Sequence, residues 1–541
     1  MSIDLGVTTD MAVAAASSAG VCIRPLLRKV TDRLTGTVTT IPLPCGSTRE
    51  KVCPSCAEKA RRVRMQQCRE GWHLTEDPPR HTDTDGEDPD VDLEDDQDNA
   101  DEDGEESVEK PRRVRSTRHL PGFPDLPVLP VEDRTIGKAY TDDKTGKTYR
   151  PSMFLTITLP SYGKVIPGTG IPRNPRKYDY RRAALDALLF PRLVDRFWQN
   201  LRRAAGYKVQ YFAAVEPQRR LAPHLHAALR GAIPRATIKA VAKATYAAIW
   251  WPPIDHIVYE GDYLPGWHED LGGYLDPDTG AALPTWDEAL DELDQDEDRE
   301  PMHILRLGAQ VDIKGLLGGT PDSDRAVRYL CKYLTKSIAD TYATPREDDD
   351  DVDPGVVAYE RHIDRLHREV RWLPCSQACA NWLRYGIQPK DAGPGLIPGQ
   401  CSSKAHDREH LGLGGRRVLV SRQWSGKTLG QHRADRAAVV REVLQEAGID
   451  APEADRMAAD VLDSDGQPRF VWEDVPVPER DYTTVIAQSL RQAQRWRVQY
   501  EQAKVLAAER GSPPVDSSSA TPTPVALGAA QLDQEEAWNA C

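Results

Sequence analysis

Two short segments carry side chains whose types and spacing could do chemistry: PHLHAALRG, from Pro223 to Gly231, and RYLCKYLTKS, from Arg328 to Ser337. In the first, His224 and His226 flank one leucine. Side chains of a strand alternate between its faces, so both imidazoles project from the same side, where they can hold a metal ion. Glu216 ends the preceding run KVQYFAAVEP and would face the histidines across a hairpin, adding an oxygen to two nitrogens. Gln218 is the alternative ligand, because one step of register would exchange the two. Two imidazoles and a carboxylate, with the other positions open to water and phosphate, suit Mg²⁺ or Mn²⁺ better than a closed structural zinc site. In the second segment Tyr329 and Tyr333 stand four apart, so on a helix both phenols share one side. Each is followed three residues later by a lysine, Lys332 and Lys336. A phenol with a pKa of about 10 is mostly protonated at neutral pH, so a metal and a neighbouring ammonium must favour the phenolate if it is to attack. Either pair alone is ordinary: paired strand histidines often decorate a half-exposed face, and tyrosines four apart often only pack.

The cysteines suggest a second kind of metal site. CGSTREKVCPSC supplies Cys45, Cys53 and Cys56, with Cys22 before and Cys68 after. A Cys-x-x-Cys knuckle with two further cysteines fits structural zinc, and the expected ligands are Cys22, Cys45, Cys53 and Cys56, with Cys68 the substitute. Cys375, Cys379, Cys401 and His406 have permissive spacing but no knuckle. The basic, Gly-rich stretch GGRRVLVSRQWSGKT makes Arg416, Arg417, Arg422 and Lys427 the expected DNA phosphate contacts. Its Gly426-Lys427-Thr428 is no nucleotide loop, since serine occupies position 421 where the first glycine belongs.

The elements that must position these residues can be read from periodicity. MFLTITLP, KVQYFAAVEP and HLHAALRG read as strands, the last two joined as a hairpin through QRRLAP. Tyr180 to Ala205 has helical spacing and stops at Gly206. A further helix is expected over Ala236 to Trp250 and one strand over ILRLGAQVDIK; the tyrosine segment is then a helix capped by Asp322 or Ser323. More helices are expected around Tyr359 to Tyr385 and Arg433 to Ala447. The order suits an α+β fold whose antiparallel sheet is covered on one face by helices.

At 541 residues the chain is long enough for two or three domains. Its net charge of −14 is misleading, because the acids concentrate in three runs, Glu76 to Glu106, Asp287 to Glu300 and Glu347 to Asp353. Together these carry −30 and leave +16 on the rest, as a phosphate-binding protein requires. Such runs read as solvated linkers and loop insertions. The expected divisions are a Cys-rich region over 1–75, a linker over 76–118, and a unit over 119–345 with an acidic loop near 284–300. An acidic linker over 346–356, a mainly helical DNA-binding region over 357–510 and a disordered tail over 511–541 follow. No stretch approaches the ~20 apolar residues of a membrane span, and Asp4 and Asp10 precede MAVAAASSAGVCI where a signal peptide would be cationic. A cytoplasmic protein without membrane partners is expected, and ten cysteines there argue for metal or buried thiols over disulfides.

The His-hydrophobe-His segment and the paired tyrosines resemble the constellation of the HUH endonucleases, and YLCKYLTK is similar to the two-tyrosine motif of rolling-circle initiators such as the A proteins of small single-stranded DNA phages. VCIRPLLRKV, CGSTREKVCPSCA, FLTITLPSYG, VEPQRRLAPHLHAALRG, RYLCKYLTKS and NWLRYGIQP, running on to LGLGGRRVLVSRQWSGKTL, together resemble the RepSA-type replication initiators of actinomycete plasmids and integrative elements. The resemblance implies an HUH nicking domain over 119–345. One tyrosine would attack the scissile phosphate to give a 5′-phosphotyrosyl link and a priming 3′-hydroxyl, and the other would later close the circle. It implies origin DNA, double- and single-stranded, with host helicase and polymerase as partners. KYLTK is also similar to single-tyrosine initiators that carry glutamate where Tyr329 stands, which favours Tyr333 as the initiating residue. A conjugative relaxase is the alternative enzyme, although relaxases carry the tyrosine ahead of the histidines. A zinc-containing DNA-binding regulator is the non-enzymatic alternative.

Overall fold

The computed structural model describes residues 8–72, 74, 78, 120–132, 140, 141, 143, 146, 148, 149, 151–296, 298–317, 320–332, 334, 335, 354–414, 417–446, 448, 457, 461–475 and 482–509. The linker expected over 76–118 (Pro78 apart), the acidic run over 347–353 and the tail over 511–541 lie outside them, as do Tyr333, Lys336 and Arg416. The strands used below are β1 (Leu26–Asp32), β2 (Val38–Leu43), β3 (Pro151–Thr158), β4 (Tyr211–Pro217), β5 (Pro223–Arg230), β6 (Tyr246–Ile249), β7 (His303–Arg306), β8 (Val311–Leu317), β9 (Val418–Val420) and β10 (Phe470–Val475). The helices are α1 (Thr9–Ser18), α2 (Pro54–Trp72), α3 (Tyr180–Leu188), α4 (Phe190–Ala205), α5 (Arg235–Ala244), α6 (Trp286–Gln295), α7 (Pro321–Leu330), α8 (Pro354–Trp372), α9 (Leu429–Glu446) and α10 (Tyr482–Glu509). Helices and antiparallel sheet are mixed along the chain.

Two compact units form, and they do not follow the divisions read from composition. One joins residues 1–67 to 427–541, and the other runs from Cys68 to Gly426. In the first, β1 pairs antiparallel with both β2 and β10, bringing segments from the two ends of the chain into one three-stranded sheet. Val30, Ile41 and Phe470 are buried together there, and Ile486 of α10 packs on Ala12 and Ala16 of α1.

The second unit is built on a five-stranded antiparallel sheet in the order β8-β3-β5-β4-β9. Every residue of the central strand β5 is buried. The period of two divides each strand between two faces. Leu155 and Ile157 of β3, Val215 of β4, and Leu225 and Ala227 of β5 enter one core with residues of α3, α4, α5 and α8. The opposite faces of the same strands carry Thr156, Glu216, His224 and His226, in the register Thr156↔His226 and Glu216↔His224.

Several elements differ from their sequence expectations for identifiable reasons. The helical stretch Tyr180 to Ala205 is two helices broken at Leu189, because Pro191 cannot donate to the preceding turn. Gly206 ends the second in the left-handed region, φ 69°. The helix expected to reach Trp250 ends at Ala244, where Thr245 Oγ1 bonds back to Val241 O at 2.7 Å; the β-favouring residues after it form β6. ILRLGAQVDIK is not one strand but two, β7 paired with β6 and β8 paired with β3. The helix expected to reach Tyr385 ends at Trp372, and a 3₁₀ turn follows at Ala380–Tyr385. The acidic segment 284–300, expected as a loop, holds α6, which has a complete capping box between Thr285 and Glu288 and buries Trp286, Ala289 and Leu293.

Candidate metal centre and nucleophile

The hairpin that carries the ligands closes through a tight turn at 218–222. Gln218 N donates to Ala222 O at 2.8 Å, and Leu221 N to Gln218 O at 2.8 Å. Leu221 takes a φ of 62°, a left-handed conformation unusual for a branched side chain, and is buried. This turn sets the register that puts Glu216 opposite His224, so the carboxylate and both imidazoles share a face. Gln218 lies beyond the strand, and its Oε1 accepts from Arg220 Nε at 2.7 Å instead. Of the two candidate third ligands, the structure brings Glu216 to the histidines.

His224 Nε2 and His226 Nε2 lie 2.7 Å apart, and His226 Nε2 is 4.0 Å from Glu216 Oε2. One donor atom from each of the three residues falls within 4.8 Å of the others. All three side chains are buried, Glu216 being 2% exposed, and among the described residues Glu216 Oε1 has no hydrogen-bond partner. A buried cluster of one carboxylate and two imidazoles with an orphaned carboxylate oxygen is the chemistry a divalent cation satisfies. Burial holds the His224 imidazole down to about 4, with Glu216's backbone opposing that shift, and burial followed by the neighbouring His224 holds His226 well below the usual range. Both rings are therefore neutral near pH 7, as ligands must be. Burial raises Glu216 to about 8, against the pull of the Arg417 and Lys332 charges.

Thr156 was not among the residues singled out by sequence. Its Oγ1 lies 2.8 Å from His226 Nδ1. The hydroxyl holds the ring, and when Nδ1–H donates to it Nε2 keeps its lone pair toward Glu216 and His224, as a ligand histidine requires. The alternation of FLTITLP places Thr156 and Thr158 on one face, but only the strand order shows that this face is the ligands' face.

Tyr329 comes from α7, whose N-cap is Thr320 and not Asp322 or Ser323. The Thr320 side chain accepts from Ser323 N, and Pro321 occupies the first turn. Val327 and Leu330 are buried, and the half-buried Tyr329 Oη lies 3.3 Å from His226 Nε2. Its ring meets those of His226 and Phe154 at centroid distances of 5.0 and 5.9 Å. The helix ends at Leu330, and Tyr333, expected on the same stripe, lies outside the described residues. Lys332 lies in the turn just beyond, exposed.

The expected phosphate contacts are placed differently from one another. Arg417 leads into β9, the edge strand beside β4: its backbone O accepts from Val215 N at 2.8 Å, its Nε donates to Val215 O at 3.2 Å, and its charge bears on Glu216 and His224. It thus belongs to the ligand sheet and not to a separate C-terminal region. Arg422 is exposed, and Lys427 pairs with Asp435 at 2.7 Å.

In the first unit Cys22, Cys45, Cys53 and Cys56 present sulfurs within 4.8 Å of one another, the Cys22 and Cys53 sulfurs 3.8 Å apart. A tetrahedral zinc with bonds of about 2.3 Å spaces its sulfurs by about 3.8 Å. Cys53 and Cys56 sit at the start of α2, and Cys45 N donates to Cys22 Sγ at 3.3 Å. Burial pushes Cys22 up to about 11; against the same burial, the backbone amides of Cys56 and Ile23 hold Cys53 below the usual thiol range. Cys68, the substitute ligand, is buried further along α2 and is not part of this group.

A family model described as RepSA, replication initiator protein, pSAM2, matches residues 8–501. The chain belongs to the RepSA family. Membership supports a role as a plasmid replication initiator and implies binding to origin DNA. No curated protein and no solved structure matches. Among the described residues, no helix is long and apolar enough to cross a membrane.

Proposed function

We propose that this RepSA member is an HUH-type endonuclease that nicks and rejoins one strand of its origin through a tyrosyl-DNA intermediate. The observation that carries the reading is the convergence of the Tyr329 hydroxyl, 3.3 Å from His226, on the buried group of Glu216, His224 and His226. These three residues would hold Mg²⁺ or Mn²⁺, which when bound supplies Lewis acidity at a scissile phosphate. Thr156 orients His226, and the two neutral imidazoles leave the carboxylate as the only anionic ligand, which keeps the centre net positive toward DNA. The Tyr329 oxygen forms a bond to phosphorus as the bond from phosphorus to the 3′-oxygen breaks. The phenolic proton passes to water, and the departing 3′-oxygen takes one up. The Lys332 ammonium, three residues along, favours the phenolate, with Lys336 in the same relation to Tyr333. Tyr333 is the other nucleophile, able to attack in the same way, and the stored ester lets rejoining proceed without ATP. Arg417, with Arg416, Arg422 and Lys427, contributes positive charge for the DNA backbone. Cys22, Cys45, Cys53 and Cys56 hold a structural zinc; host helicase and polymerase act after the nick.

The test is a covalent adduct between the full chain and single-stranded origin DNA in the presence of Mn²⁺, mapped to a residue. Tyr329→Phe and Tyr333→Phe should differ by stage, one losing the first cleavage and the other mainly the closing transfer. Persistence of a phosphotyrosyl adduct in the double phenylalanine variant would refute the reading. Origin binding with no nicking by the wild type would favour a non-enzymatic regulator.

A further inference from the structure

We propose that Cys375, Cys379, Cys401 and His406 form a closed structural zinc site in the second unit, distinct from the N-terminal cysteine group and from the cation site on the sheet. The four ligand atoms come from a stretch without a Cys-x-x-Cys knuckle, yet all lie within 4.8 Å of one another. Cys375 Sγ is 3.9 Å from Cys401 Sγ, and Cys379 Sγ is 3.5 Å from His406 Nε2. Tetrahedral zinc, with bonds of about 2.3 Å to sulfur and about 2.0 Å to nitrogen, sets these edges at about 3.8 and about 3.5 Å. A disulfide requires a separation of about 2.05 Å, so the cysteines are placed as ligands and not as a bridge.

The surroundings point the same way. His406 Nδ1 lies 2.7 Å from Val370 O, near the C-terminal end of α8. Only an N–H on Nδ1 can make that bond to a carbonyl, so in the neutral ring a metal would bind, the lone pair resides on Nε2, facing the thiols. This is the hydrogen bond by which ligand histidines are ordinarily oriented. Three soft sulfurs and one imidazole complete a tetrahedron without leaving a position for water, which distinguishes a structural zinc from a catalytic one.

The segment that would be cross-linked needs such an anchor. Among the described residues between α8 and β9 there is no α-helix or strand, only 3₁₀ turns at Ala380–Tyr385 and Lys404–His406, yet Trp382, Leu383, Ile387, Leu411 and Leu413 are buried. Asn381 secures one point, donating to Arg371 O and Leu373 O at 3.0 and 3.1 Å and accepting from Gly399 N at 2.7 Å. The zinc would secure the rest, fixing the path that delivers Arg417 and β9 to the edge of the ligand sheet.

The test is metal analysis of the full chain, purified without added metal and desalted. We expect about two zinc equivalents per chain. Cys379→Ser and Cys401→Ser should each lower this to about one, Cys53→Ser should remove the other, and His406→Cys should retain both. Where a serine variant does not fold, zinc-edge X-ray absorption of the wild type decides: a mixed sulfur and nitrogen shell is expected, and an all-sulfur shell overturns the proposal. So would a zinc content unchanged in well-folded Cys379→Ser and Cys401→Ser, or a Cys375–Cys401 disulfide in freshly prepared protein. None of these measurements reads nicking, so they stand or fall independently of the endonuclease assignment.

Discussion

The shared face of His224, His226 and Glu216 was legible from the sequence, because a strand's period of two and one short turn suffice to set it. Thr156 was not, since β3 precedes β5 by some seventy residues and nothing local shows that the two are neighbours. Because its hydroxyl holds the His226 ring from 2.8 Å, Thr156→Val, nearly isosteric, should weaken Mn²⁺ binding by about 10- to 100-fold with little change in folding. Titration calorimetry checks it, and an unchanged affinity would remove Thr156 from the site. Glu216 adds a pH dependence. Burial raises its carboxyl to about 8, so in the cation-free protein it is neutral below that value and must shed a proton to bind metal. Mn²⁺ affinity should therefore rise about tenfold per pH unit up to about pH 8 and then level. For cation-free protein the sign is reversed: the folded state holds this proton more tightly than the unfolded one, so stability falls as pH climbs from 4.5 toward about 8. Affinity that is flat between pH 6 and 8 would show that Glu216 releases no proton on binding the cation in that range.

At the scale of elements, the sequence was most readable where one local signal dominated and least where two competed. FLTITLP and HLHAALRG alternate cleanly and form β3 and β5, whereas Thr245 ends a run with continuing helical periodicity and turns it into β6. The acidic segment 284–300 shows the same competition: its charge density suggests a solvated loop, but Trp286, Ala289 and Leu293 recur at helical spacing behind a capping box. Local capping outweighs charge there. Thr285→Ala removes the side chain that accepts from Glu288 N and should lower stability by about 1 kcal/mol. Thr285→Asn, which keeps a capping oxygen, should lose less. Denaturant midpoints at unchanged slope measure both, and equal losses for the two variants would assign the effect to something other than the cap. β9 was the hardest element to foresee, being three residues long and paired with a strand two hundred positions away.

For the whole molecule, the feature least visible in the sequence is that residues 1–67 and 427–541 make one unit, since composition alone separates a Cys-rich start from a helical end. The ladder between β1 and β10 joins residues more than four hundred positions apart, and no local pattern announces such a pairing. It has a testable consequence for a chain ended at Gly426. That chain keeps β8-β3-β5-β4-β9 and with it Glu216, His224, His226, Thr156 and Tyr329, so its Mn²⁺ affinity should match that of the full chain. Its N-terminal segment, by contrast, is left with the hairpin of β1 and β2, without Phe470 against Val30 and Ile41 and without Ile486 against Ala12 and Ala16. Two-stranded ladders without a packed face are marginal in water. In the shortened chain, protease should cut between residues 8 and 53 well before it cuts between 151 and 317, and the zinc proposed for Cys22, Cys45, Cys53 and Cys56 should pass readily to a chelator. Undiminished protection of the N-terminal segment would mean that it folds without β10 and α10, and that the unit is not the cooperative structure its sheet implies.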